Sequence, residues 1–167
     1  MNAQIAVAYD ITPGPGSSLE LKVDKTGLLR GKSHRIVFEQ FRGELSYDMR
    51  EPKQSFIHIS IKSASAVCRD SWLNAKDQKK VEAYARENIL AAGQHPNIEF
   101  ESASVTSVGP DSFEVAGTLT IRGIAKPAMV RVTAERMNDA VLGFQGSATV
   151  RLTDYGLKPP TAAFGAI

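Results

Sequence analysis

Short runs of alternating apolar and polar residues dominate the chain. In Ser18–Asp24, Leu19, Leu21 and Val23 alternate with Glu20, Lys22 and Asp24, the pattern of a strand with one wet face. Phe41, Leu45 and Tyr47 repeat it, with Gly43 in phase. Ile57, Ile59 and Ile61 share one face of the next segment, opposite Phe56, His58 and Ser60. Further strands are expected at Ile98–Ser102, Phe113–Ile121, Met129–Ala134 and Val141–Leu152. Turn chemistry separates them at Thr12–Gly16, Glu51-Pro52, Gly109–Asp111, Arg122 through Pro127, and Asn138-Asp139. One stretch breaks the rhythm. Between about Asn74 and Leu90, the residues Val81, Tyr84, Ala85 and Ile89 fall at helical spacing. Asn74 or Asp77 is suited to cap its start and Gly93 to follow its end. A second, short helix around Thr26–Ser33 has weaker support. Seven or eight strands with one helix predict an all-β domain, either a closed antiparallel barrel or a sandwich.

Composition narrows the functional classes. The chain has 167 residues, 43% hydrophobic and 23% charged, which fits one soluble globular domain over residues 1–167. A net charge of +2 is too balanced to predict nucleic-acid binding. No apolar run is long enough to form a transmembrane segment. The first ten residues lack a basic start and a long apolar stretch, so no signal peptide is visible and a cytoplasmic location is expected; a processed form would instead be periplasmic. One cysteine, Cys68, cannot make an intramolecular disulfide.

Several motifs resemble catalytic or cofactor sites and fail on spacing. Gly27–Ser33 is similar to a phosphate-binding loop but has three residues between its glycines where four are needed, and a strand pattern follows instead of a helix. His34, His58 and His95 are far apart, with no partner at metal-ligand spacing. There is no nucleophile elbow, and nothing around Cys68 marks a catalytic thiol. No metal, cofactor or catalytic set is expected.

Three segments in order carry a resemblance. Phe38-Glu-Gln-Phe-Arg-Gly-Glu-Leu-Ser-Tyr-Asp48 is similar to an F-x-x-F-x-G-x-h-x-h-D strand. Arg69-Asp70 and Leu73 lead to His95-Pro-Asn-Ile-Glu-Phe-Glu-Ser102, and Val115-Ala-Gly-Thr-Leu-Thr-Ile-Arg-Gly-Ile-Ala-Lys-Pro127 follows. Arg151–Gly156 is a fainter echo. Together they resemble the YceI-like family, lipocalin-like proteins that bind polyisoprenoids. The resemblance implies an antiparallel eight-stranded barrel, an elongated apolar cavity inside it, and no catalysis; the helix read from periodicity at about 74–90 is expected near the barrel end. It also implies binding, transport or storage of an amphipathic isoprenoid lipid of polyprenyl or quinone type. The alternative is a packed barrel that serves as an interaction module without a small ligand. The expected inward faces carry Leu19, Leu21, Leu45, Phe41, Ile57, Ile59, Ile61, Phe100, Phe113, Leu119, Ile121 and Phe144. Leu28, His34, Phe38, Arg69 and Trp72 complete the candidate ligand-binding set, and Asp70 and Lys126 are further polar candidates for the mouth. Asp70 is expected to be mainly structural.

The chain departs from the family pattern in three ways. It shows no leader. The link from Asp70 to Asn97 is longer and more polar, marking a divergent subgroup. The chain stops at Pro159–Ile167, where the family continues to a closing strand. A missing strand would leave two edges unpaired and invite a homodimer by strand addition.

Overall fold

The computed structural model describes residues 6–14, 17–24, 33–136, 138 and 142–157. Among these, ten strands form two antiparallel sheets. The larger has seven strands: β1 (Val7–Ile11), β4 (Phe41–Tyr47), β5 (Phe56–Lys62), β7 (Asn97–Gly109), β8 (Ser112–Ile121), β9 (Ile124–Arg136) and β10 (Leu142–Ser147), paired in that order. It curls so that Ile11 of β1 and Phe144 of β10 face the same cavity. The smaller sheet runs β2 (Leu19–Asp24), β3 (Ser33–Phe38), β6 (Ala66–Cys68) and covers the hollow of the first. The architecture is thus an all-β antiparallel half-barrel with one helix. No ladder joins β1 to β10 among the described residues. The short helix expected before Ser33, the phosphate-loop look-alike and the closing-strand question all fall mainly or wholly outside the described residues.

Most strands lie where alternation placed them, because a one-residue slip would turn every apolar side chain outward. β7 and β9 are longer than their apolar stretches imply. The turn between β8 and β9 is shorter than expected. Arg122 and Gly123, at φ 50° and 74°, form a two-residue reversal whose twist suits a hairpin. Pro127 therefore sits within β9, opposite Thr118. It is tolerated because β10 pairs only with residues 131–136, so no neighbour on that side asks Pro127 for an N–H. β1 and the three-residue β6 carry too little pattern to be read in advance.

Helix α1 (Ala75–Tyr84) starts as expected, with the Asn74 side chain accepting from the Asp77 amide at 2.9 Å. Its end differs. A π-helical turn spans Ala85–Ile89, where Leu90 N donates to Ala85 O, and the left-handed residue is Ala91 at φ 46°, not Gly93. The wider turn brings the reversal two residues earlier, and Ala91 O then accepts from both Gln94 N and His95 N.

The helix is tied to the small sheet by polar groups. Pairing with β3 leaves Ala66 O and Cys68 N on the outer edge of β6. Glu82 accepts from Cys68 N at 3.2 Å, and Arg86 Nε donates to Ala66 O at 2.7 Å. Arg86 and Glu82 also pair with each other at 3.2 Å, one helical turn apart. Both exposed-edge groups are thereby satisfied, which closes this edge to other strands. The apolar packing around them joins Ile36, Phe38, Ala66, Cys68, Val81 and Leu90 into one cluster with Tyr155 and Leu157. A second cluster of Phe100, Val105, Phe113, Val115 and Ala134 lies within the large sheet.

Candidate ligand cavity

The inward faces of both sheets meet where Ile36 and Phe38 pack with Phe41, Ile61, Ile98 and Ile121, and stand apart elsewhere. Between them they line a cavity of about 510 Å³, within the range of small-molecule sites. Native interiors rarely hold voids larger than a water molecule, so this is not incomplete packing of an ordinary core. Phe41, Ile57, Ile59 and Ile61 line it from β4 and β5, and Phe100, Phe113, Leu119, Ile121 and Phe144 from β7, β8 and β10. His34, Ile36 and Phe38 line it from β3, two residues apart and therefore on one face. Leu28 lies outside the described residues.

Phe100 reaches its place because residue 117 is glycine. A Cβ there would stand 2.3 Å from Glu101 O and 2.8 Å from Phe100 Cζ. The neighbouring ladder skips a residue between Ser102 and Ser104, bending β7 at the same point. Further along, the Tyr47 ring meets Phe113 and Phe144 edge-on at 6.1 and 5.9 Å, joining β4 to the far side of the sheet. Phe56, expected on the polar face, also lines the cavity but is 39% exposed, which puts it at the rim.

Polar groups are few. His34 Nδ1 contacts Asp70 Oδ2 at 2.5 Å, and because a carboxylate accepts, the ring donates from Nδ1. Asp70 is 2% exposed, and its other oxygen accepts from Arg35 N at 2.6 Å. That carboxylate continues the β3 ladder beyond the last paired residue of β6. Gln78 of α1 donates to Asp70 O at 2.7 Å, and Asp70 thus joins helix, sheet and cavity wall.

Arg69 and Trp72 are not in the cavity wall. Arg69 precedes Asp70 in an extended segment, so their side chains point to opposite sides. Asp70 turns in to His34, while Arg69 turns out to Glu39 at 2.8 Å. Trp72 packs beside the His34 ring, centroids 5.5 Å apart, with its Nε1 donating to Ser33 O. It backs the histidine without lining the hollow. Lys126 is exposed and also outside the wall. Wall residues missed in the sequence include strand positions such as Ile36, Ile98, Val115 and Val130, and a group from the helix and its π turn: Val81, Tyr84, Ala85, Ile89 and Leu90. The helical spacing of this group was visible, but not the surface it would cover.

The remaining chemistry-bearing groups serve the scaffold. His58 pairs with Glu99 at 2.8 Å on the outer face of the large sheet. Burial pushes the Cys68 thiol up to about 11, with the Asp70 and Glu82 carboxylates adding to the effect against an opposing backbone hydrogen bond at Asp70. A thiol in that state is a poor nucleophile. Among the described residues no cluster of three metal-ligating side chains occurs, and no helix is long and apolar enough to cross a membrane.

The sequence profile of the YceI-like domain matches residues 9–166. The chain belongs to the YceI-like family. A UPF0312 protein of Pseudomonas putida is 29% identical over 167 residues, covering 91% of this chain and 83% of the relative. A UPF0312 protein of Azotobacter vinelandii is 29% identical over 126 residues, 72% of this chain and 62% of the relative. Among solved structures, Burkholderia cenocepacia BcnA superposes with a TM-score of 0.64 at 22% identity, over 75% of this chain and 74% of that one. The Campylobacter jejuni YceI protein superposes with a TM-score of 0.60 at 15% identity, over 86% and 81%. These YceI-like likenesses support the barrel-type fold.

Proposed function

We propose that this YceI-like protein is a non-enzymatic carrier or sequestering protein for an amphipathic, mainly hydrocarbon small molecule of isoprenoid type. The observation that carries this reading is the cavity: about 510 Å³, lined by two sheets and a helix, and walled almost throughout by aliphatic and aromatic side chains. Such a wall rewards a ligand by the apolar area it removes from water, at roughly 25 cal/mol per Å². It discriminates little along the chain of the ligand, which suits a repetitive branched hydrocarbon. The packed interaction module is disfavoured by the same volume, since a filled interior was its defining expectation.

Native mass spectrometry of the protein purified from its own host, followed by solvent extraction, tests the proposal. A stoichiometric isoprenoid adduct is expected. An empty protein that also takes up neither polyprenols nor quinones in titration would overturn it.

A further inference from the structure

We propose that His34 is the head-group site of the cavity, and that it selects an uncharged amphiphile bearing a hydroxyl group. The inference rests on the carrier reading above and adds what the ligand's polar end must be. His34 sits at the end of an apolar stripe formed with Ile36 and Phe38 on β3, and its side chain is 14% exposed. Asp70, fully buried at its side chain, holds Nδ1 at 2.5 Å, and Trp72 packs against the ring. Three elements therefore set the ring's orientation: β3, the segment after β6, and α1 through Gln78.

With Nδ1 committed to Asp70, Nε2 makes no hydrogen bond among the described residues and is the nitrogen left for a ligand. In the neutral ring Nε2 is an acceptor, so it asks for an O–H. A hydroxyl also accepts, so it satisfies the protonated ring equally. An ether or a bare hydrocarbon would leave a partly desolvated acceptor unpaired, which is costly.

Charge argues against an anionic head. No described lysine or arginine lines the cavity, and its one carboxylate, Glu20, is paired with Arg35 at 2.9 Å. A protonated His34 is already balanced by Asp70. A phosphate or carboxylate would enter this end of the wall without a lysine or arginine counter-charge among the described residues.

Geranylgeraniol, its methyl ether and its monophosphate separate the cases, with dissociation constants measured by calorimetry for the wild type, His34→Leu and His34→Gln. The wild type should bind the alcohol about five- to tenfold more tightly than the ether, the worth of one hydrogen bond, and more tightly than the phosphate. His34→Leu should bind alcohol and ether alike, at the wild-type affinity for the ether, and His34→Gln should recover part of the preference. Equal binding of alcohol and ether by the wild type would overturn the head-group inference and leave the carrier reading standing. Tightest binding of the phosphate would overturn the uncharged head. Failure of all three to bind would remove the carrier reading and this inference with it. The wild-type comparison decides the matter even if His34→Leu does not fold.

Discussion

The large sheet and the small sheet build the same cavity by different means. The seven-stranded wall pins its five inner strands by ladders on both sides and its edge strands β1 and β10 by one each, with polar side chains such as His58 and Glu99 on the outer face. The small sheet has a three-residue strand at its edge and cannot rely on ladder bonds alone. It is held by buried carboxylates: Asp70 extends β3, and Glu82 with Arg86 closes β6. The wall distributes its stability over many equivalent pairs, whereas the small sheet concentrates it in three side chains. His34, the polar group proposed to meet the ligand, arises on the concentrated side.

Asp70→Ala should show the largest effect. It strands the His34 ring nitrogen and the Arg35 amide in a desolvated place, with an expected loss of about 3 kcal/mol in urea unfolding. The corresponding change on the wall, Glu99→Ala, should cost under about 1 kcal/mol because its pair with His58 is half exposed. Similar losses for the two would break the contrast.

Gly117→Val ranks next and sharpens the comparison from the wall's side. Its Cβ would meet the Glu101 carbonyl, so the β7–β8 ladder must shift, at about 2 kcal/mol. Hydrogen exchange should quicken at β7 and β8 while β6 stays protected.

Glu82→Gln should cost less, about 1–2 kcal/mol, because the amide can still accept from Cys68 N while the pairing with Arg86 weakens. Its signature is local: faster exchange at the Cys68 amide and no change at the wall.

Cys68 has the smallest effect near neutral pH and shows itself as a pH dependence above it. The folded-state Cys68 thiol is raised to about 11, against about 8.5 for a free thiol, so the unfolded chain loses this proton first as pH rises. Below about 8.5 the thiol is protonated in both states and contributes no slope. Stability should therefore fall between these values, and Cys68→Ala should show a shallower decline over the same interval. Parallel curves would remove Cys68 from the account of the small sheet.

Much of this was legible from residue order alone. Alternation located most strands, the Asn74 cap located the helix start, and the ordered motifs around Phe38–Asp48 and Val115–Pro127 pointed to the fold and to an apolar interior. These are local signals: side-chain period, turn preference and capping act over a few residues. What they leave open is where faces meet. Whether the inward stripes of two sheets touch or stand apart depends on curl and on the bulge near Ser102, and so the cavity belongs to the tertiary structure. So do the Ala91 reversal, which replaced Gly93, and the outward turn of Arg69. The partnership of His34 with Asp70 spans 36 residues and arises because the segment after β6 runs beside β3. Sequence determined which side chains face inward along most strands; only packing decided that they would surround a hollow, and that one histidine would stand at its polar end.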